Sequence, residues 1–368
     1  MIALRFLLAA VSVLMTAGTL MSFVRSPHWF FRLWDFPRLQ VAMVSFASNV
    51  VYALFFFEGR TSEIVMIFAG AATVAWHSYK IFPYTPLAAR RVQDAELDSP
   101  TGRRNRISLL VSNVLMDNRE YHRLLALLEK KDPDVILVVE NDQSWTDALA
   151  VLDERYPFSV KHPLDNFYGM SVFSRLELID PEVKFLIQDD IPSVHTRIRL
   201  SGGEEVFFYA LHPRPPEPIN DQPSAPRDAE LVVVGREVGE HPSRPTIVAG
   251  DLNDVAWSPT SELFLRLSGL LDPRHGRGFY NSFSAESRLF RYPLDHVFHS
   301  NEFKLIDLQR LPAIGSDHFP IFIELLYDPR AAAEQPETEK EPGDEEEAEE
   351  KLEKQAEAAA NRGRPKDE

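Results

Sequence analysis

Three apolar stretches within the first 82 residues constrain this chain more than any other feature. Phe6–Val24 runs for nineteen residues without a charge, Leu39–Phe57 for another nineteen, and Ile64–Tyr79 for sixteen. The third reaches Phe82 if Lys80 lifts its ammonium toward water. A helix rises about 1.5 Å per residue, so about twenty residues cross a ~30 Å hydrocarbon layer. A single run of this kind fits a buried core helix or a cleaved signal. Three in succession do not, and no small-residue cleavage site follows the first. Trp29, Trp34, Trp76 and Tyr79 stand near the ends of the runs, where amphipathic rings prefer to sit. The expectation for residues 1–82 is three transmembrane helices of a multi-pass inner-membrane protein. Arg25, Arg32 and Arg38 in the first loop, with Lys80, Arg90 and Arg91 after the third span, outweigh Arg5, Arg60 and the amino terminus on the other side. That bias places the first loop and the rest of the chain in the cytoplasm.

Charge divides the remainder. The formal total is −16, of which residues 1–82 contribute +3 and residues 331–368 contribute −8, leaving −11 for the middle. A domain that acidic is poorly suited to clamping long stretches of nucleic-acid backbone, which needs clustered Lys and Arg. The absence of cysteine excludes thiol nucleophiles, iron–sulfur clusters and cysteine-ligated zinc. Residues 83–105 are polar and proline-punctuated, as a linker would be. Residues 329–368 hold almost no large apolar side chain and read as a disordered acidic tail, available to a protein partner, with the Glu/Ala/Lys run at 345–360 able to form a transient helix.

Between them, residues 106–328 alternate strand and helix signals. Ile107–Val111, a helical pattern over Arg119–Lys131, and Val135–Val139 form a strand–helix–strand unit. Met170–Phe173, Val183–Ile187, His195–Leu200 and Val206–Leu211 read as an antiparallel meander. Helices are expected over Ala229–Val238 and Thr260–Leu267, a buried strand over Thr246–Ala249, and closing strands at His296–His299, Lys304–Leu308 and Ile321–Leu325. The mixture predicts an α/β fold of two mixed sheets packed face to face with helices outside.

The chemistry sits at strand ends. Asn113 follows the first apolar run and Glu140 the second; in a parallel pair both emerge at one sheet edge, where open α/β sheets place ligands. Asp251 and Asn253 end another strand in GDLND, His212 ends FFYAL, Asp295 opens a strand in PLDHVF, and Asp317-His318 precede the last strand. Carboxylates and amide oxygens without thiols suit a hard ion such as Mg²⁺ or Mn²⁺. An Asp–His pair beside such an ion can activate water, and the combination favours attack on phosphorus over attack on a carbonyl. Neither a GxSxG elbow nor an HExxH helix supports an esterase or zinc peptidase.

The segments SNVL (112–115), VVEND (138–142), YGMSVFSR (168–175), LHPRP (211–215), AGDLND (249–254), PLDHVF (293–298) and GSDHFP (315–320) resemble, in order, those of the endonuclease/exonuclease/phosphatase superfamily. DVAWSP (254–259) and GRG (276–278) are similar to a bacterial branch with three amino-terminal membrane spans. The resemblance implies a four-layered α/β sandwich. It also implies roles: Glu140 as the main Mg²⁺ ligand with Asn113 and Asp317 near the ion, and Asp251 positioning or deprotonating water. Asn253 would hold that water and a phosphate oxygen, and His212 would donate to developing charge. His318 would be general base or phosphate contact, oriented by Asp295, while Arg227 and Arg291 match basic positions of the branch and either could bind the substrate phosphate. Val139-Glu140 departs from the family's usual Gln-Glu but keeps the acid. The implied activity is hydrolysis of a phosphodiester in nucleic acid or in a phospholipid head group. The competing reading is a catalytically idle anchored module acting through its acidic tail.

Overall fold

The computed structural model describes residues 1–96, 104–218 and 222–362. It opens with α1 (Ile2–Ser22), the single turn α2 (Trp29–Arg32), α3 (Arg38–Phe55) and α4 (Thr61–Ile81). Three of these, α1, α3 and α4, are long and apolar enough to cross a membrane, with mean hydropathies of 1.8, 1.3 and 1.3. They meet through small and polar residues, as helices do where apolar side chains gain nothing by leaving lipid. Ser12 donates to Asn49 at 3.1 Å, and the Thr19 hydroxyl lies 2.9 Å from His77 Nε2. Gly70 gives Asn49 its room, because a Cβ there would fall 1.8 Å from Asn49 Nδ2.

The loop between α1 and α3 lies at the same end of the bundle as the exit from α4, and the remaining chain packs there. Ser224 N–H donates to Pro27 O at 2.8 Å, Trp257 Nε1 to Asp35 O at 2.8 Å, and Tyr84 Oη to Ala256 O at 2.7 Å. Lys80 and Glu262 form an ion pair at 2.5 Å. Residues 83–96, expected as a free linker, are instead laid along a strand edge: Leu305 N–H donates to Gln93 O and Ala95 N–H to Leu305 O, both at 2.8 Å. Val92 is fully buried there, which accounts for the fixed path. The rest of the expected linker, 97–103, lies outside the described residues.

The domain begins with β1 (Arg106–Asn113), α5 (Tyr121–Lys131) and β2 (Val135–Val139), the expected strand–helix–strand unit. Its strands are parallel, with Asn113 opposite Val139. There follow α6 (Gln143–Leu149), β3 (Phe158–His162), β4 (Met170–Ser174), β5 (Glu177–Lys184), β6 (Ser193–Arg199) and β7 (Glu205–Leu211). Then come α7 (Ala225–Gly239), β8 (Thr246–Asp251), α8 (Pro259–Ser268), β9 (Asp295–His299), β10 (Phe303–Arg310), β11 (Ile321–Tyr327) and α9 (Asp344–Arg362). One mixed sheet has the order β10-β11-β1-β2-β4-β3 and the other β5-β6-β7-β8-β9.

Strand alternation builds four layers. Leu109, Val111, Val135 and Leu137 point inward to meet Ile198, Phe208, Ala210 and Ile247 of the other sheet. Leu110, Ile136 and Val138 point outward under Leu124 and Leu128 of α5 and Trp145 of α6. On the far side Tyr209, Leu211 and Val248 pack beneath Leu231 and Val234 of α7 and Phe264 of α8. This is the four-layered sandwich the sequence led us to expect.

Two expectations need correction. The meander divides: β4 is buried on both faces beside β2 in the first sheet, while β5–β7 begin the second. Strand β5 also starts earlier than the Val183–Ile187 run, because it is a largely polar edge strand set by pairing with β6 across a bulge between Ile179 and Glu182. The acidic tail is not disordered over 344–362. Helix α9 buries Ala348 and rests Leu352 against Val232, Leu263 and Leu267. Its acids find fixed cations: Glu345 lies 3.1 Å and Glu349 3.3 Å from Arg236, and Asp344 lies 2.9 Å from Arg266. A helix with few apolar residues is held because its charge is complemented by its neighbours.

Candidate active site

Strand register delivers the polar set to one place. Asn113 and Glu140 leave the parallel ends of β1 and β2, while His212 follows the end of β7 and Asp251 ends β8, with Leu211 opposite Gly250. Asp251 lies opposite Asp295 at the start of β9, and Asp317-His318 precede β11 from the first sheet. Both sheets thus contribute at one end of the sandwich. Gly250 makes this possible: its φ is +147°, and a Cβ would lie 1.9 Å from Leu211 O. Glu140 and Asn253, just beyond the ends of β2 and β8, hold positive φ of 60° and 51°, a strained backbone at the point where the chain turns away from each strand.

Asp251 is the hub. Its Oδ2 accepts from Asn113 Nδ2 at 3.0 Å and lies 3.5 Å from His318 Nε2 and 3.9 Å from His212 Nε2. The same Asn113 amide donates to Glu140 Oε1 at 2.7 Å, and His212 Nε2 stands 3.9 Å from that oxygen. Asp251 Oδ1 accepts from Asn253 N–H at 3.0 Å, and the Asn253 amide donates to Pro213 O at 3.0 Å. Asp295 accepts from His318 Nδ1 at 2.7 Å, which fixes the ring and turns Nε2 toward Asp251. Asn113, His212, Asp251, Asp295 and His318 are all buried. Asp317 is half-buried beside them, close enough for its charge to reach Glu140 and His318.

Electrostatics follow from that burial. Desolvation pushes the Glu140 carboxyl up to about 7, with the charges of Asp251 and Asp317 adding and the Asn113 hydrogen bond opposing. Burial likewise raises Asp251. Desolvation lowers His212 to about 4, so its imidazole is neutral. For His318 desolvation opposes the charge, but Asp251 and Asp295 outweigh it and hold the imidazolium up to about 10.

Among the described residues, two groups of side chains bring ligand atoms within 4.8 Å of one another: Glu140, His212 and Asp251, and Asp251, Asp295 and His318. Half-buried Glu140 and buried Asp251 face each other across the Asn113 amide, and the His318 imidazolium, 3.5 Å from Asp251, offsets only part of their charge. Two carboxylates held this way favour a further cation beside them. The donors, chiefly oxygen, fit a hard divalent ion.

The arginines fall differently. Arg227, expected at the substrate, lies behind the site. It is fully buried, lies 2.7 Å from Asp228 and 3.3 Å from Asp254, and donates to Asn253 O at 2.8 Å. A buried guanidinium needs acids around it, and here it braces the backbone that carries Asn253. Arg291 is half-buried, donates to Ser287 O at 2.6 Å and stands 5.0 Å over the ring of Phe319, next to His318. Trp257 packs with Tyr84, Val255 and Leu294 and donates to Asp35 O. Sequence reasoning missed the rings that wall the imidazoles: Tyr168 lies 5.3 Å from His212, and Phe283 lies 5.0 Å from His318. Tyr168 lay within the YGMS segment, but nothing in its local sequence marked it; Phe283 had no signal at all.

Residues 110–318 match the description Endonuclease/Exonuclease/phosphatase family. The chain belongs to that family. It is therefore a hydrolase of phosphoric ester bonds, and its amino-terminal helices are compatible with the membrane-attached branch. No curated protein matches the sequence. Among solved structures, the family domain is similar to that of D. rerio TDP2 carrying 14 humanising mutations, at 16% identity over 60% of this chain and 99% of that chain, with a TM-score of 0.48. Human Nocturnin's catalytic domain matches at 15% identity over 61% of this chain and 95% of that one, with a TM-score of 0.49. Sphingomyelinase C from Streptomyces griseocarneus matches at 16% identity over 60% and 99%, with a TM-score of 0.45.

Proposed function

We propose that this chain is a membrane-anchored, Mg²⁺-dependent phosphodiesterase whose substrate is a phospholipid head group. The observation that carries the chemistry is Asp251, reached at once by an amide, two imidazoles and the Asn253 N–H. Glu140 would hold the ion, with Asp317 and the Asn113 amide beside it; when bound, it would neutralise charge on the phosphate. Asp251, its carboxyl raised by burial, is the stronger base for that reason and takes the proton of the attacking water. Asn253 positions that water. His318, kept cationic by Asp251 and Asp295, supports a role as phosphate contact over that of general base. Neutral His212 donates one N–H to the developing charge.

A second feature favours lipid over nucleic acid. Leu289 and Phe290 are 75% and 56% exposed in a loop whose other end places Phe283 against His318. Gln40 of α3 donates to Leu289 O at 2.7 Å, so these apolar tips stand beside a membrane helix at the mouth of the site. The test uses the full chain in detergent or vesicles with Mg²⁺, assayed on an aryl phosphodiester, phosphatidylglycerol, sphingomyelin and plasmid DNA. Asp251→Ala and His318→Ala are expected to lose on the order of a hundredfold or more in turnover. Undiminished turnover in either variant would defeat the assignment, and preference for DNA would defeat the lipid reading.

A further inference from the structure

A sizeable cavity lies apart from the carboxylate cluster. It has a volume of about 330 Å³ and lies where the carboxyl ends of α1 and α4 and the start of α3 meet the domain. Its membrane side is Phe23, Val24 and Trp76; its floor is Arg32 and Arg38; α9 closes the far side. Basic residues outnumber acidic ones in its lining by seven to five.

Most of those charges already have partners. Lys80 lies 2.5 Å from Glu262, Lys351 lies 3.2 Å from Asp228, and Lys354 lies 2.6 Å from Glu350. The two floor arginines do not divide evenly. They share one carboxylate, with Arg32 Nη1 3.1 Å from Asp35 Oδ2 and Arg38 Nη2 2.9 Å from Asp35 Oδ1. Arg38 is 1% exposed and Arg32 8%. Even so, Arg38 Nε and Nη1, Arg32 Nε and the Trp76 indole Nε1 are buried without a hydrogen-bond partner. Those atoms lie behind the wall rather than on it, and what an occupant meets is charge: two guanidiniums set on one carboxylate leave the floor positive, which suits an acceptor that carries negative charge.

We propose that this cavity binds a phosphate-bearing anion, separately from the active site. Its position identifies the source the geometry favours. The three helix ends that line it mark the level at which the chain leaves the hydrocarbon, where phospholipid phosphates lie. Phe23, Val24 and Trp76 offer the apolar border an acyl chain would follow. The occupant is therefore the phosphodiester of an anionic phospholipid, wedged between α1, α4 and the domain.

The test uses the full chain purified in non-ionic detergent, with thermal unfolding and native mass spectrometry as readouts. Dioleoyl phosphatidylglycerol, dioleoyl phosphatidylcholine and inorganic phosphate are added separately. Saturable stabilisation by phosphatidylglycerol, with retained lipid in the mass spectrum, supports the site and the lipid source. Equal stabilisation by inorganic phosphate supports the anion site but assigns it to the free ion. Because Arg38→Gln disturbs a buried ion pair, the deciding variants are at the mouth: Arg25→Glu, whose side chain is 75% exposed, and Ser26→Glu, which is half-buried. Each places a negative charge against the occupant and is expected to weaken phosphatidylglycerol binding by about tenfold. Stabilisation that is equal for phosphatidylcholine and phosphatidylglycerol, or unchanged in both mouth variants, overturns the proposal.

Discussion

At the scale of single residues, the fold buries charge in many places, and two instances make checkable demands. Asp295 touches no substrate in the proposed scheme; it holds the His318 ring. Asp295→Asn removes one of the charges that raise the imidazolium, so His318 should ionise below about 10, as followed by its NMR titration. Turnover should fall by roughly 10–100-fold with little change in KM. Glu230 makes a different demand. It is buried on α7 with Oε1 unpaired, and desolvation lifts its carboxyl from 4.5 to about 8. The folded chain therefore keeps a proton that the unfolded chain releases above 4.5. Stability should be highest below that point and decline as pH rises toward about 8, by on the order of a few kcal/mol. Glu230→Gln should flatten this decline in thermal unfolding followed from pH 5 to 8. Most of the polar cluster was legible because its members stand where an apolar run starts or stops. Arg227, matched to a basic position that could contact phosphate, instead lies buried behind the site. Its partner Asp254 comes from another element, a long-range pairing no local pattern reveals.

Elements show why backbone carries as much of the site as side chains do. Strand β8 approaches β7 so closely at Gly250 that any side chain would strike Leu211 O. Gly250→Ala is expected to destabilise the fold by on the order of 2–3 kcal/mol and to displace His212 and Asp251 together. Chemical denaturation would measure the first effect and a phosphodiesterase assay the second. Buried strands and amphipathic helices were readable from period alone: β1, β2, β8 and α5 all fall within a few residues of their expected bounds. Edge strands were not. Strand β3, FSVKH, is exposed or half-exposed throughout and has no apolar run to announce it. The docking of helix α9, more than its helical tendency, escaped for the opposite reason, since its hold depends on Arg236 and Arg266, which are remote in sequence.

At the scale of the whole molecule, the three apolar helices and the sandwich form one packed unit. The loop that ends in Leu289 and Phe290 joins the two functions proposed for them. Replacing both with serine is expected to lower turnover of phospholipid in vesicles by roughly tenfold while leaving a soluble aryl diester unaffected, since each exposed ring or branched chain adds about 1.5–3 kcal/mol when buried in an apolar phase. An equal loss on both substrates would show the loop to be merely structural.

The indole of Trp257, anchored to the Asp35 carbonyl, carries a practical corollary. Val255, Ala256 and Trp257 follow directly on the catalytic loop and are covered by Tyr84, Ile81 and Phe36. Cutting the enzyme free of its helices to obtain a water-soluble fragment would strip that cover, leaving the loop greasy and unsupported. Whoever purifies this hydrolase should expect the severed piece to clump and idle, and the intact polypeptide to work.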